Sequence, residues 1–273
     1  MKASPPAMLG AAAAVALAIG STVAARAVQA ADMVTNASPP LPFLATPWTG
    51  VYVGANAGRG GNTKLYEIFS DFDVYKEGVD GLVSGLFSLS KDLDTSGPRL
   101  WIAGGAGWYR YPAEKMNIQG VYSTGDLLGG YGFEGENYEI NLLAGGSVEN
   151  DTLSARDPEN RVQGTAVGVK GRADIWINPT PQTLFYGEVE YSTAFQTWYS
   201  SAKYGFDITN GKQIFFGPEV VYFGDERHKQ WRVGAHLTKI KFGNLQLDVS
   251  AGYAQDSDVG SGAYSHVELS THF

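Results

Sequence analysis

Counted back from the carboxyl terminus in steps of two, Phe273, Thr271, Leu269, Val267, Ser265 and Ala263 share one face. His272, Ser270, Glu268, His266 and Tyr264 share the other. Side chains of a strand alternate between its two faces, so residues 262–273 read as a strand that suits lipid on one side and water on the other. A terminal strand of this kind, ending on an aromatic, is the pattern that closes an outer-membrane barrel. A half-buried strand of a soluble sheet has the same alternation, so the rest of the chain must decide.

The pattern recurs. Segments of about ten alternating residues, separated by turn signals, fall at residues 49–58, 81–91, 98–110, 121–133, 136–148 and 161–177. They continue at 182–193, 198–208, 212–223, 230–242, 244–254 and 262–273. The expected fold is all-β, a closed antiparallel transmembrane barrel of about 12 strands, with 10 or 14 as neighbouring even counts. Tight turns at 92–97, 134–135, 178–181, 209–211 and Gly243 are expected to alternate with looser loops at 59–80, 111–120, 149–160, 194–197, 224–229 and 255–261. This phase puts both termini in the periplasm. Within the first loop, residues 65–75 form an alternative strand. A soluble β-sandwich or lipocalin-like barrel is the competing fold, with the apolar rows turned inward.

Facing follows from cost. A Lys or Arg held against lipid at mid-depth costs roughly 2–4 kcal/mol, so rows that carry charge must line the lumen. In 244–254 Leu245, Leu247, Val249, Ala251 and Tyr253 face lipid, opposed by Gln246, Asp248, Ser250 and Gly252. In 230–242 Trp231, Val233, Ala235 and Leu237 oppose Arg232, Gly234, His236 and Thr238. The expected lumen-lining cations are Lys170, Arg172, Lys203, Arg232, His236 and His266, against Asp174, Glu188, Glu190, Glu219, Asp248 and Glu268. Two readings of that set stand: a neutralised polar plug, in which ion pairs fill a narrow lumen, and a wet conduit, in which opposed charges set selectivity. The plug is the favoured one. Lys170 and Arg172 are expected beside Glu188 and Glu190 of the next strand, with Asp174 and Arg172 nearest Glu188 and Lys170 nearest Glu190.

The amino terminus changes the picture. Residues 1–30 have Lys2 as a basic start, an apolar core over 9–20 and a small-residue exit at Val28-Gln29-Ala30, the form of a secretory signal peptide. The Pro-rich stretch 31–47 reads as a periplasmic lead-in, leaving 48–273 as the barrel. Beyond the signal no window offers the eighteen or so apolar residues of a membrane helix. The chain of 273 residues is 44% hydrophobic and 18% charged, with 35 Gly, 13 Phe and 15 Tyr, a composition that favours many strands over a helical bundle. Loss of Lys2 and Arg26 with the signal leaves 18 basic against 28 acidic residues, which argues against a nucleic-acid partner. There is no cysteine, hence neither a disulfide nor a thiolate metal site.

Candidate chemistry is sparse. His236 and His266 lie on strands separated by one other, with Ser250 between them, but no Gly-x-Ser-x-Gly and no His-Glu-x-x-His occurs. An enzyme, such as one modifying outer-membrane lipid, is therefore the outsider. Acidic loops carrying Asp151, Asp157, Glu159, Asp225, Glu226, Asp256 and Asp258 lack calcium-loop spacing and read as solvated. No cofactor and no metal is expected. The six tryptophans sit mostly near strand ends, as an interfacial belt does, while any that face inward have the chemistry to stack on sugar rings.

Several runs resemble one family. They are Glu149-Asn150-Asp151, Leu153 to Pro158 (Leu-Ser-Ala-Arg-Asp-Pro), Gly168-Val169-Lys170-Gly171, Trp176-Ile177-Asn178-Pro179-Thr180, Tyr191-Ser192-Thr193-Ala194-Phe195 and Phe216-Gly217-Pro218-Glu219. With Arg232-Val233-Gly234-Ala235 and Gly262-Ala263-Tyr264 they make residues 81–273 similar to the BcsS family of cellulose biosynthesis proteins. The start Trp48-Thr49-Gly50-Val51-Tyr52-Val53-Gly54 resembles alphaproteobacterial porin-like proteins. The family resemblance implies an outer-membrane accessory of cellulose synthesis or export, with cellulose or other synthesis components as partners. It brings no catalytic residues. The charged lumen alone supports the alternative of a general small-solute pore. Outer-membrane lipid, and barrel-assembly machinery that reads the terminal strand and Phe273, are the remaining expected partners.

Overall fold

The computed structural model describes residues 64–113 and 116–273. It is a closed barrel of twelve antiparallel strands, each paired with its sequence neighbours and the last with the first. The strands are β1 Tyr66–Tyr75, β2 Gly78–Ser88, β3 Gly97–Ala113, β4 Met116–Glu134, β5 Tyr138–Leu153, β6 Gly164–Thr180, β7 Thr183–Ser192, β8 Trp198–Asp207, β9 Phe215–Gly224, β10 Lys229–Phe242, β11 Leu245–Asp256 and β12 Gly260–His272. Closure leaves no strand edge, the condition for a sheet to cross a bilayer.

The strand count matches the expectation, but the first strand does not. The expected strand at 49–58, the signal peptide and the lead-in lie outside the described residues. The expected loop 59–80 instead contains β1 and the start of β2. β1 runs against β12 in register from Glu67↔His272 to Tyr75↔Tyr264. Its alternation is clean: Glu67, Phe69, Asp71, Asp73 and Tyr75 on one face, Ile68, Ser70, Phe72 and Val74 on the other. Phe273 completes the seam, its backbone N–H donating to Tyr66 O (3.0 Å) and its ring 5.1 Å from that of Tyr66.

The expected contrast of tight and loose connections holds only in part. At the end opposite Phe273, β1 and β2 are joined by residues 76–77 alone, and β3 and β4 stay paired out to Ala113↔Met116. Two long reversals, 89–96 and 208–214, lie at the Phe273 end, while the longest connection, 154–163, lies at the opposite end. Polar residues such as Gln119 and Asn150 sit in hairpins that run past the apolar band, where both faces meet water and polarity no longer separates strand from loop.

The outer wall is apolar. Phe72, Leu127, Val167, Val189, Phe216 and Val233 are each at least 47% exposed, whereas Arg99, Asp126, Glu219, Arg232, His236 and Asp248 are at most 6% exposed. A soluble barrel has the opposite polarity. Contiguous apolar exterior around a polar interior is the transmembrane arrangement, which settles the fold against the lipocalin-like alternative.

The interior is divided. On the β2–β5 side Leu86, Trp101, Ala103, Leu128 and Leu143 form an apolar cluster, joined by Leu93 from the 89–96 reversal. That reversal tucks into the Phe273 end and is tied there by Arg99, 1% exposed, which donates to the carbonyls of Asp92 (3.2 Å), Leu93 (2.9 Å) and Thr95 (2.6 Å). Leu93 N–H also donates to Lys64 O at 2.6 Å. The β6–β12 side, with β1, carries most of the ion pairs.

Candidate functional site

Contacts between strands that are not neighbours can run only through the lumen, and they locate the charged residues. Lys170 on β6 reaches Asp126 on β4 (2.7 Å) as well as Glu190 on β7 (2.7 Å). Arg172 contacts Glu188 and Glu190, both at 2.5 Å, and Asp174 at 3.3 Å, while its guanidinium stacks 4.2 Å over the Trp101 ring of β3. The planar guanidinium suits this, since Nη1 serves Glu188 and Glu190, Nε serves Asp174, and one face is left for the ring. In the β6–β7 ladder Asp174 lies level with Glu188, as counting from 178–181 suggested, whereas Arg172 lies level with Glu190 and reaches Glu188 diagonally. Thr180 pairs with Thr183, and a register shift between Ile177 and Thr180 moves the rows. Glu188 also accepts a hydrogen bond from the Tyr186 hydroxyl, and Asp174 one from Asn141 Nδ2 (3.0 Å).

The next group lies toward β10. Glu219, 2% exposed, accepts from Tyr264 Oη at 2.9 Å and faces Lys203 Nζ at 3.3 Å. Arg232 donates to Asp73 (2.6 Å) and to Gln230 Oε1 (2.7 Å), with the rings of Tyr75, Phe223 and Tyr264 about it at 5.1, 4.8 and 5.0 Å. His266 sits between Asp73 (3.0 Å) and Asp71 (3.7 Å). Glu268 is level with Asp71 and Asp248 and forms no ion pair among the described residues. Asp71, His266 and Glu268 bring ligating atoms within 4.8 Å of one another. The imidazole held between two carboxylates makes that group an ion-pair cluster first.

Two residues of the set are structural. Asp248 accepts the backbone N–H of Lys239 (2.6 Å), a residue at φ 65° in the bulge that interrupts the β10–β11 ladder between Leu237 and Ile240. His236, 1% exposed, bonds Thr238 Oγ1 (2.8 Å) and Tyr204 O (3.2 Å) through its two ring nitrogens. Ser250 is level with both His236 and His266, yet its buried hydroxyl bonds to neither. A nucleophile and base in hydrogen-bond contact are therefore not formed by these three.

Sequence reading missed Asp71, Asp73, Asp80, Asp126 and Arg99. The first three were hidden by the supposed loop 59–80, although period two in Glu67 to Tyr75 was there to be read. Trp101 and Trp176 depart from the interfacial belt. Trp101 is 5% exposed inside the barrel, and Trp176 lies under Lys239 Nζ at 4.4 Å.

Above the ion pairs, at the end opposite Phe273, the lumen widens into a vestibule of about 280 Å³. Aromatic rings of Tyr75, Tyr109, Tyr122, Tyr199 and Phe223 line it, with Asp80, Glu149, Asp151, Asp225, Asp256 and Asp258 among them. Its rim is closed by the 225–228 loop, where Asp225 caps the backbone N–H groups of Arg227 (2.7 Å) and His228 (2.8 Å). Arg227 stacks over Tyr111 at 4.1 Å, and His228 Nε2 lies 2.6 Å from Asp256 Oδ2.

Burial alone would depress the His228 imidazole, but the hydrogen bond and charge of Asp256, helped by Asp225 and Asp258, outweigh it and raise the group above its ordinary 6.5. A raised folded value means the protonated ring stabilises the loop fully below pH 6.5, and that contribution disappears as pH rises through the folded value. Hydrogen exchange at Arg227 and His228, corrected for intrinsic rates, should therefore accelerate several-fold from pH 6.5 upward. A His228→Gln variant should lack that step; equal pH profiles in both proteins would show that the clasp is not ionic.

Similarity to solved structures is remote. The chain is similar to the KdgM porin (9% identity, 76% of this chain and 99% of that one, TM-score 0.43) and to the translocator domain of the autotransporter NalP from Neisseria meningitidis (12%, 78% and 90%, 0.42). Omp33 from Acinetobacter baumannii is more distant (12%, 77% and 98%, 0.36). No curated protein matches the sequence. The profile of the family described as "Cellulose biosynthesis protein BcsS" matches residues 68–273, extending beyond the similar runs of 81–273 into part of the 59–80 stretch. From the third residue of β1 to the terminal Phe273, across all twelve strands, the chain belongs to the family of the cellulose biosynthesis protein BcsS.

Proposed function

We propose that this protein is a non-catalytic outer-membrane accessory of cellulose synthesis or export, and that glucan does not pass through its lumen. The observation that carries the second part is the filled interior. The Arg172 and Arg232 ion pairs occupy one half, the Leu128 and Trp101 cluster the other, and Leu93 with Arg99 stoppers the Phe273 end. A general solute pore needs a continuous wet path, which this packing opposes. Export by residues 1–30, a lead-in over 31–47 and insertion through the β12 strand ending in Phe273 belong to the same reading. It places the termini in the periplasm and the vestibule at the cell surface.

Deleting the gene should lower cellulose output in a dye-binding assay, and restoring it should recover the signal. Unchanged cellulose in the deletion strain would sink the accessory role. The purified barrel should pass no steady current in planar bilayers.

A further inference from the structure

The vestibule is a blind chamber whose chemistry is uneven. Tyr109 and Tyr122, rings 6.5 Å apart, stand on the β3–β4 side, and Tyr199 and Phe223, rings 6.3 Å apart, on β8 and β9 nearly across the barrel. All four are partly exposed. Lys170 and Glu190 reach it from below, and Arg232, held by Asp73, lies against two of its lining rings, Tyr75 and Phe223. The lining cations are engaged: Lys76 with the carbonyls of Val259 and Ser261, Arg110 with Glu77, Lys170 with Asp126 and Glu190, Arg227 with Tyr111.

The acids are in excess. Glu149 and Asp151 form no ion pair among the described residues, and Asp151, only 4% exposed, accepts one hydrogen bond at Oδ2 from Tyr109 Oη (2.8 Å) while its Oδ1 has no partner. A buried carboxylate oxygen without a donor costs free energy unless something supplies one. The chamber therefore offers flat apolar ring faces and unfilled acceptors together, with no free cation among the described residues.

We propose that this vestibule binds a short segment or end of a neutral glycan chain, a β-1,4-glucan under the accessory role on which this inference rests. The C–H faces of a pyranose pack on Tyr122 and Phe223, and its hydroxyls donate to Glu149 and Asp151. A uronic-acid chain finds no unengaged cation among the described lining residues to balance its charge, so the site discriminates against it. At about 280 Å³ the chamber lies just under the range of small-ligand sites, roughly 300–1,000 Å³, and suits a chain end rather than a threaded chain. The protein thereby tethers glucan at the surface and leaves its transport to other components.

The test is calorimetric titration of the full-length barrel in detergent with cellohexaose, with trigalacturonate and tetramethylammonium as comparison ligands. Cellohexaose should bind, Tyr122→Ala and Asp151→Asn should each weaken it at least ten-fold, and trigalacturonate should not bind. Heat-modifiable gel mobility checks that each variant is folded, and Phe223→Ala serves if either of the first two is not. Absence of cellohexaose binding to folded wild-type protein overturns the proposal. So does binding that is indifferent to all three substitutions, equal binding of trigalacturonate, or displacement by tetramethylammonium, which would mark an organic-cation site. These outcomes are separate from the deletion phenotype: a strain that needs the barrel for cellulose, with a barrel blind to cellohexaose, keeps the accessory role and loses the vestibule.

Discussion

Arg172→Ala should destabilise the barrel by about 3–5 kcal/mol, the range for removing one partner of a buried ion pair. The side chains of Arg172, Glu188 and Glu190 are 11%, 12% and 14% exposed, so little water reaches the carboxylates that the change leaves behind. Lys170 remains beside Glu190, but Glu188 and Asp174 lose their cation, and Trp101 loses the guanidinium stacked on its face. A wet lumen would screen the orphaned charge and spare stability. Heat-modifiable gel mobility should show a lower melting temperature for Arg172→Ala, a smaller decrease for Arg172→Lys, and no steady conductance in any of the three proteins. A barrel that conducts, and whose ion preference changes without a shift in melting, would show that the lumen is open.

Gly217→Val should prevent assembly of most of the protein, at a cost on the order of 3 kcal/mol or more. A Cβ at Gly217 would lie 1.9 Å from the carbonyl oxygen of Tyr204, a backbone atom that cannot swing aside. That carbonyl faces inward and takes the hydrogen bond of His236 Nε2, at the place where the β8–β9 pairing skips between Lys203↔Glu219 and Phe206↔Phe216. The glycine thus makes room for a buried histidine to find its acceptor. Gly146→Ala is the control, since a Cβ there meets nothing within 4 Å. Equal refolding yields of the Gly217→Val and Gly146→Ala proteins in detergent would refute the packing argument.

Period-two alternation, together with the cost of placing charge in lipid, was enough to determine the class of fold, the even count of strands and the inward row of β6 to β12. Lys170, Arg172, Glu188 and Glu190 were legible because each sits opposite an apolar neighbour, and lipid forbids the reverse. β1 was not legible as a barrel strand against the alternative at 49–58, since Asp71 and Asp73 made the stretch look like a polar loop. Only closure of the ring gave them partners, Asp73 receiving Arg232 and His266 from strands 159 and 193 residues away in sequence. Likewise the apolar cluster of Leu86, Trp101, Leu128 and Leu143 lies inside the barrel, in strands apolar on both faces, where alternation carries no sign of which side is in. Whether the lumen is filled depends on side chains from opposite walls meeting across it, Arg172 on Trp101 and Lys170 on Asp126. Periodicity along one strand holds information about its two faces and its neighbours, whereas distances across a closed ring exist only once the ring has formed.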